Sequence, residues 1–273
     1  MKKADLHIHT NASDGVLSPT EVVKLASKND IDAIAITDHD TIDGIEEAIK
    51  ASNIYGVEVI PGIEINSEID LEDVHILGYY INYKDARLIK TLADLIRRRE
   101  ERAQKIVKIL NDIGLYISLK DVKEWGGKYI GRPHIAKALL HYGYVSSVKE
   151  AFEKYLGRGC PAYIPRTKLS PYDAINIIKK SGGVPVLAHP GLLKSYDIIE
   201  ELVKAGLKGV EVYHTKHDSE QIKDIINIAK WYDLIITGGS DFHGIDDNLN
   251  VTIGSATIPY DAIGLLKSMS EKE

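Results

Sequence analysis

The sequence predicts an α/β protein, a barrel or strongly curved sheet of seven strands with a small helical insertion. Two observations carry most of that prediction. Seven short apolar or β-branched runs alternate with helix-like stretches, as parallel βαβ units do. The runs are apolar almost throughout, which suits strands buried on both faces. A third observation is chemical: histidines and carboxylates recur at the ends of those runs.

The strands are expected at Ala4–Ile8, Ala33–Thr37, Val57–Ile65, Val74–Ile81, Val184–Ala188, Gly209–Tyr213 and Leu234–Thr237. Ser18-Pro19-Thr20-Glu21 supplies an N-cap with proline at the first helical position, before Val22, Val23, Leu25 and Ala26. Ser170-Pro171-Tyr172-Asp173 repeats that signal before Ala174, Ile175, Ile177 and Ile178, and Gly182-Gly183 ends the helix. From Ala86 to Arg166 no run reads as a strand. Leu88, Leu92, Leu95, Ile96, Ala103, Ile106, Val107 and Leu110 follow a 3.6-residue period. Shorter helices are expected at Ser118–Trp125, Pro133–Tyr142 and Ser146–Leu156. This divides the chain into a barrel of residues 1–97 and 166–273 and a helical insertion of 98–165, between the fourth and fifth strands.

Composition limits the function. The chain has 273 residues, 44% of them apolar and 27% charged, enough for a large core. Its net charge of −6 and the lack of a visible basic stripe argue against a duplex-specific nucleic-acid binder. No apolar run approaches the roughly 18 residues of a membrane span. Asp5 and His7 interrupt any signal-peptide core, so the cytoplasm is the expected compartment. One cysteine, Cys160, excludes an internal disulfide and a cysteine-based zinc site. The oligomeric state is not legible.

The ten histidines are not scattered. His7 and His9 end the first strand, His39 follows Asp38 at the end of the second, Glu64 ends the third and His75 begins the fourth. His189 ends the fifth, and Asp241 and His243 end the seventh. In parallel α/β proteins the carboxyl ends of strands share the face where active sites lie. Two residues apart on an extended strand, His7 and His9 point to one side, and Asp241 and His243 repeat that spacing. A lone histidine at a strand end is more often a hydrogen-bonded structural residue than a ligand. Two such pairs with single residues at matching ends point to metal, and the donors are too many for one tetrahedral ion.

The segments DLHIHT at 5–10, SDG at 13–15, TDHDT at 37–41, PGIE at 61–64, HILGY at 75–79, AHPG at 188–191 and SDFHG at 240–244 resemble the PHP (polymerase and histidinol phosphatase) family of metal-dependent phosphoesterases. GRPH at 131–134 and GRG-PAY at 157–163 are similar to its branch of nucleoside 3′,5′-bisphosphate phosphatases and 5′-3′ exoribonucleases. The resemblance implies a distorted seven-stranded (β/α) PHP barrel and a trinuclear site. One ion would take His7, His9, Glu64 and Asp241; a second Glu64, His75 and His189; a third Asp14, His39 and His243. Two or three divalent ions of manganese, iron or zinc are implied, with Asp241, His243, Glu64 and His189 as the catalytic group. On residue type alone Asp14 also fits a turn or helix cap. Asp5 and Asp38, beside ligand histidines, are expected to accept imidazole N–H groups. Asp40 is expected to cap a helix.

The implied chemistry is hydrolysis of a phosphate ester by metal-activated hydroxide. No Ser-His-Asp or Cys-His nucleophile is evident. The expected substrates are the 3′-phosphate of nucleoside 3′,5′-bisphosphates and short 5′-phosphorylated single-stranded RNA trimmed 5′ to 3′. Arg99 falls in the apolar stripe of the long helix and Arg102 at its edge, with Arg97 opposite. Arg99, Arg102, Arg132, His134 and His217 are the candidate substrate contacts, since a guanidinium fork matches phosphate oxygens. For the arginines the alternatives are snorkelling, an internal ion pair or a helix start. His214 stays open beside His217, and His141 reads as an ordinary helix residue. Histidinol-phosphate hydrolysis and a non-catalytic metal-binding PHP module are the competing functions; the complete donor set argues against the latter.

Overall fold

The structure is a computed structural model and describes residues 2–126, 130–165, 169–244 and 251–270. Seven strands form where apolar runs lie: β1 (Lys3–Ile8), β2 (Ala33–Ile36), β3 (Glu58–Ile69), β4 (Glu72–Tyr79), β5 (Val184–Leu187), β6 (Gly209–His214) and β7 (Ile235–Gly239). An eighth, β8 (Ile258–Pro259), pairs antiparallel with the free side of β1. The seven-strand expectation is therefore corrected to eight among the described residues, in the order β7-β6-β5-β4-β3-β2-β1-β8. Two residues, one of them proline, carry too little apolar pattern for β8 to be read in advance.

A second correction concerns direction. β4 is antiparallel to both β3 and β5, whereas β1, β2 and β3 run parallel, as do β5, β6 and β7. β3 continues past the expected end at Ile65 and folds back through Asp70 and Leu71, both at positive φ. Two left-handed residues make the tight turn that joins antiparallel strands.

The ends of the sheet approach each other through β1 and the exit of β7. His9 N–H donates to Phe242 O and Asp241 N–H to His7 O, each at 2.9 Å. Gly239 permits this approach, because a Cβ there would lie 2.3 Å from the His7 backbone nitrogen. The result is a nearly closed barrel. Its interior is apolar, with Leu6, Ile60, Leu77, Val186 and fully buried Tyr79, whose hydroxyl donates to Leu6 O.

The helices are α1 (Pro19–Lys28), α2 (Ile45–Tyr55), α3 (Ala86–Asp112), α4 (Leu119–Gly126), α5 (Arg132–His141), α6 (Val148–Ala151), α7 (Pro171–Lys180), α8 (Ile198–Ala205), α9 (Ser219–Trp231) and α10 (Asp261–Ser270). α6 runs on as a π-turn over Phe152–Leu156. Ser18 and Ser170 cap α1 and α7 as their sequences predict, each with a returning carboxylate from Glu21 or Asp173. Asp40 is not a cap: α2 begins five residues later, after Gly44, and the Asp40 carboxylate accepts from the backbone and side chain of Asn66.

The chain divides into two compact units, Met1–Ile89 with Lys168–Glu273, and Lys90–Thr167. The first holds the sheet. The second has its own core, where Ile106 and Leu110 of α3 pack with Val122 of α4 and Ile135 and Leu139 of α5. Residue 166, where the sequence places the return to the barrel, lies outside the described residues.

Candidate metal centre

The turns leaving the strands bring nine side chains together. His7 and His9 come from β1 and its exit, His39 from the exit of β2, Glu64 from β3, and His75 from β4. His189 follows β5, Asp241 and His243 follow β7, and Asp14 comes from the turn after β1. Glu64 is not at a strand end. It sits midway along β3, level with the strand exits because His39 bridges to it where β2 stops. The antiparallel direction of β4 explains why His75, near the start of its strand, joins residues at the ends of the others.

Glu64 is the hub. Its Oε2 lies 3.3 Å from His7 Nε2, 3.3 Å from His9 Nε2 and 2.9 Å from His39 Nδ1. Its Oε1 lies 2.9 Å from His75 Nδ1 and 3.1 Å from His189 Nε2. Asp241 Oδ1 faces His7 Nε2 at 3.4 Å and His9 Nε2 at 3.3 Å. Asp14 lies 3.4 Å from His243 Nε2, 3.6 Å from His9 Nδ1 and 3.7 Å from His39 Nε2. Three donor sets result, each with atoms within 4.8 Å of one another: His7, His9 and Asp241; His39, Glu64 and His75; and His9, Asp14, His39 and His243.

These residues fit divalent ions. The ring atoms His7 Nε2, His9 Nδ1, His9 Nε2 and His39 Nδ1, with Glu64 Oε2, are buried without a hydrogen-bond partner among the described residues. Unsatisfied buried polar atoms are costly, and five that converge are explained by a shared ligand. Nitrogen and carboxylate donors without thiolate suit manganese, iron or zinc. Two of the candidate ligands, His189 (φ 29°) and Asp241 (φ 55°), hold left-handed backbone, a strained state that functional sites retain.

Charge follows the packing. Burial by itself would raise the Glu64 carboxyl, but His39, His7 and His75 hold it well below the usual carboxylate range. Asp241 is likewise held far down against its burial, chiefly by His7, His214 and His9. Burial lowers the His7 imidazole, yet Glu211, Glu64 and Asp241 raise it well above its ordinary value. The whole cluster favours bound positive charge.

The supporting residues differ from expectation. Among the described residues Asp5 meets no imidazole; it accepts from Ser240 N–H (2.9 Å) and Gly254 N–H (2.8 Å), and burial pushes it up to about 6. Asp38 accepts from Thr10 N–H, Thr10 Oγ1 and Ser13 Oγ. The carboxylate that does meet a ligand imidazole is Glu211 on β6. It accepts from His7 Nδ1 at 3.0 and 3.2 Å and from His189 N–H at 2.8 Å. A lone glutamate in the apolar run Gly209–Tyr213 was its signal in the sequence.

His217 is buried with both ring nitrogens on main chain: Nδ1 donates to Val212 O, and Nε2 accepts from Gly191 N–H. That arrangement steadies the turn carrying His189. His214 Nε2 lies 3.3 Å and Lys216 Nζ 3.4 Å from Asp241 Oδ2. Lys216 is half-exposed and had no sequence signal beyond its place between those two histidines.

In the smaller unit Arg102 donates through Nε (2.9 Å) and Nη2 (2.6 Å) to Ile164 O. Arg132 donates to Leu156 O and lies over the Phe152 and Tyr163 rings. Burial, with Arg132 and Arg99 nearby, pushes Arg102 down to about 10. Arg99, Arg102 and Arg132 thus come together, while Arg97 is exposed and paired with Asp94 and Glu101. His134 Nδ1 accepts from Gly131 N–H and caps α5.

Comparison with known proteins agrees. The PHP domain pattern matches residues 5–158. A 5′-3′ exoribonuclease of Haemophilus influenzae is 34% identical over 250 residues, covering 89% of this chain and 90% of its own. A 3′,5′-nucleoside bisphosphate phosphatase of Chromobacterium violaceum is 33% identical over 253 residues (89% and 88%). A phosphoribosyl 1,2-cyclic phosphate 1,2-diphosphodiesterase of Eggerthella lenta is 32% identical over 248 residues (88% and 94%). A Bifidobacterium adolescentis structure, assigned as a metal-dependent phosphoesterase, superposes with a TM-score of 0.82 at 31% identity, covering 97% of this chain and 96% of that one. The fold and site define a hydrolase of the metal-dependent phosphoesterase class. The chain belongs to the PHP family.

Proposed function

We propose that this chain hydrolyses nucleotide phosphate esters, releasing the 3′-phosphate of nucleoside 3′,5′-bisphosphates and trimming short 5′-phosphorylated RNA from its 5′ end. The observation that carries the hydrolytic reading is the convergence of buried, unpartnered nitrogen and carboxylate donors around Glu64. His7, His9, Glu64 and Asp241 would hold one divalent ion; Glu64, His75 and His189 a second; Asp14, His39 and His243 a third. Bound there, such ions supply a nucleophile at neutral pH and stabilise charge on a phosphoryl group.

The protein supplies the rest. Glu64 offers one oxygen to each of two donor sets, so it fixes their spacing. Glu211 orients His7 and the His189 backbone. Arg99, Arg102 and Arg132 are assigned to the non-reacting phosphate, which both proposed substrates carry at the 5′ position. The names of two relatives support the nucleotide reading, and Arg102, which pairs with no carboxylate among the described residues, suits an anion.

The test is product identification with manganese added. The panel is adenosine 3′,5′-bisphosphate, 5′-AMP, 3′-AMP, histidinol phosphate, a sugar cyclic phosphate and a 5′-phosphorylated RNA oligomer. Release of 5′-AMP from the bisphosphate and of 5′-mononucleotides from the RNA is expected. Hydrolysis of histidinol phosphate or the cyclic phosphate alone would replace the nucleotide reading.

A further inference from the structure

The net charge of −6 conceals a segregation between the two units. Residues 90–167 hold sixteen lysines and arginines against eight aspartates and glutamates. The barrel unit holds eighteen against thirty-two. The smaller unit is therefore strongly basic inside an acidic protein. Most of its acidic groups are engaged: Asp94 and Glu101 with Arg97, Glu100 with Lys123, Glu150 with Lys154, and Asp121 with the Tyr142 hydroxyl.

The same unit exposes a row of rings. Trp125 at the end of α4 faces His141 at the end of α5, with centroids 6.0 Å apart. His141 meets Tyr142 at 5.4 Å, and Tyr142 meets Tyr144 at 6.4 Å. The Tyr144 hydroxyl is bound to the backbone of Tyr116, whose own ring is exposed. Tyr116, Trp125 and Tyr142 are 70%, 45% and 49% exposed. A core would bury these rings. These three stand outside the unit's interior cluster, and Tyr144, partly buried, packs against it.

We infer that this row is a stacking platform for the body of a single-stranded polynucleotide, held by the basic charge of the unit that carries it. Each base has a π-face, and aromatic rings on a positive surface bind single strands with little sequence preference. Polyanion attraction explains the charge, and stacking explains the exposure of the rings. A purely apolar protein partner would explain the rings and not the charge. Exposed Lys120 on α4 and Lys137 on α5, one turn before His141, are basic side chains close in sequence to the row. The inference rests on the nucleotide reading of the function and adds what lies beyond a single nucleotide.

The experiment uses the full chain carrying Asp241→Asn to prevent turnover. Fluorescence anisotropy measures its affinity for a 5′-phosphorylated 12-nucleotide RNA and for a dinucleotide, at two salt concentrations. Trp125→Ala with Tyr142→Ala should weaken 12-mer binding about tenfold or more and leave dinucleotide binding unchanged. Lys120→Glu with Lys137→Glu, at exposed positions that leave the core intact, should weaken the 12-mer and flatten its salt dependence. In the active background both pairs should leave hydrolysis of adenosine 3′,5′-bisphosphate unchanged. Equal 12-mer affinity in both pairs overturns the platform, as does a ring variant that alters only self-association. Loss of 12-mer binding in an enzyme that ignores the bisphosphate would instead leave the platform standing and remove the proposed reaction.

Discussion

The Glu211 carboxylate grips His7 Nδ1 with both oxygens, at 3.0 and 3.2 Å, and with one of them also takes the His189 backbone N–H at 2.8 Å. Both ends of that contact are buried. With Nδ1 held by Glu211, His7 turns Nε2 toward Glu64 and Asp241. One residue of β6 therefore orients the ring of one candidate ligand and the backbone of another.

Glu211→Gln tests that role. A glutamine keeps the size but loses the negative charge and one of the two oxygens that face His7 Nδ1. Loss of such a partner typically weakens metal affinity about 10–100-fold. Competition with a chelating fluorophore should show that loss for manganese, with the circular dichroism spectrum preserved. Wild-type affinity would reduce Glu211 to a packing role.

Residue type and period exposed much of this site in the sequence. His7 and His9 share a side because strands have a two-residue repeat, whereas Asp241 and His243 lie beyond the end of β7, with Asp241 in left-handed backbone. What the sequence concealed depends on direction and distance. His75 looked like the start of a strand, and only the reversal of β4 puts that start among the ends of its neighbours. Asp38 adjoins His39, yet neighbours on an extended chain face opposite ways, and its carboxylate takes Thr10 and Ser13 instead. Asp5, two residues before His7, is taken up by the Ser240 and Gly254 N–H groups. Glu211 reaches His7 across 204 residues, a partnership no local pattern encodes. The eighth strand is two residues long and pairs by position, not by pattern.

Asp241 has two faces. Its Oδ1 belongs to the donor set with His7 and His9, and its Oδ2 meets His214 and the half-exposed Lys216 ammonium. An ammonium that reaches the cluster while still touching solvent is placed to meet a substrate phosphate. Lys216→Met should raise KM about tenfold with a smaller change in kcat, the signature of lost uniform binding. A fall in kcat at constant KM would place Lys216 in support of Asp241 instead.

Metal should also act as a stabiliser. Apo protein buries His7 Nε2, both His9 nitrogens, His39 Nδ1 and Glu64 Oε2 without hydrogen-bond partners among the described residues, a cost that ligation removes. An ion at one hundred times its Kd contributes about 2.7 kcal/mol by mass action. For a chain of this size that corresponds to a Tm rise of roughly 5–10 °C. Differential scanning fluorimetry of chelator-treated protein, titrated with manganese, iron or zinc, would measure it. Glu64→Gln should abolish most of the rise, since Glu64 contributes to more than one donor set. An unchanged rise in that variant would contradict the hub assignment.

Arg102 gives the sharpest test of the substrate. Two of its N–H groups are spent on Ile164 O, which fixes the plane of the guanidinium and leaves others to donate. Its charge is disfavoured by burial and by Arg132 and Arg99, and it faces no paired carboxylate among its described contacts. A bound phosphate would relieve that repulsion and accept from the planar fork. Arg102→Ala should therefore raise KM for adenosine 3′,5′-bisphosphate by tenfold or more, since charge-assisted bonds of this kind are worth about 1.5–3 kcal/mol. The same variant should treat a simple chromogenic phosphate, which has no second phosphate, almost as the wild type does. Inorganic phosphate should raise the Tm of metal-free wild type more than that of the variant. If both substrates suffer equally and phosphate stabilises both proteins alike, Arg102 serves the fold of its own unit through Ile164, and the assignment of the 5′-phosphate to these arginines fails.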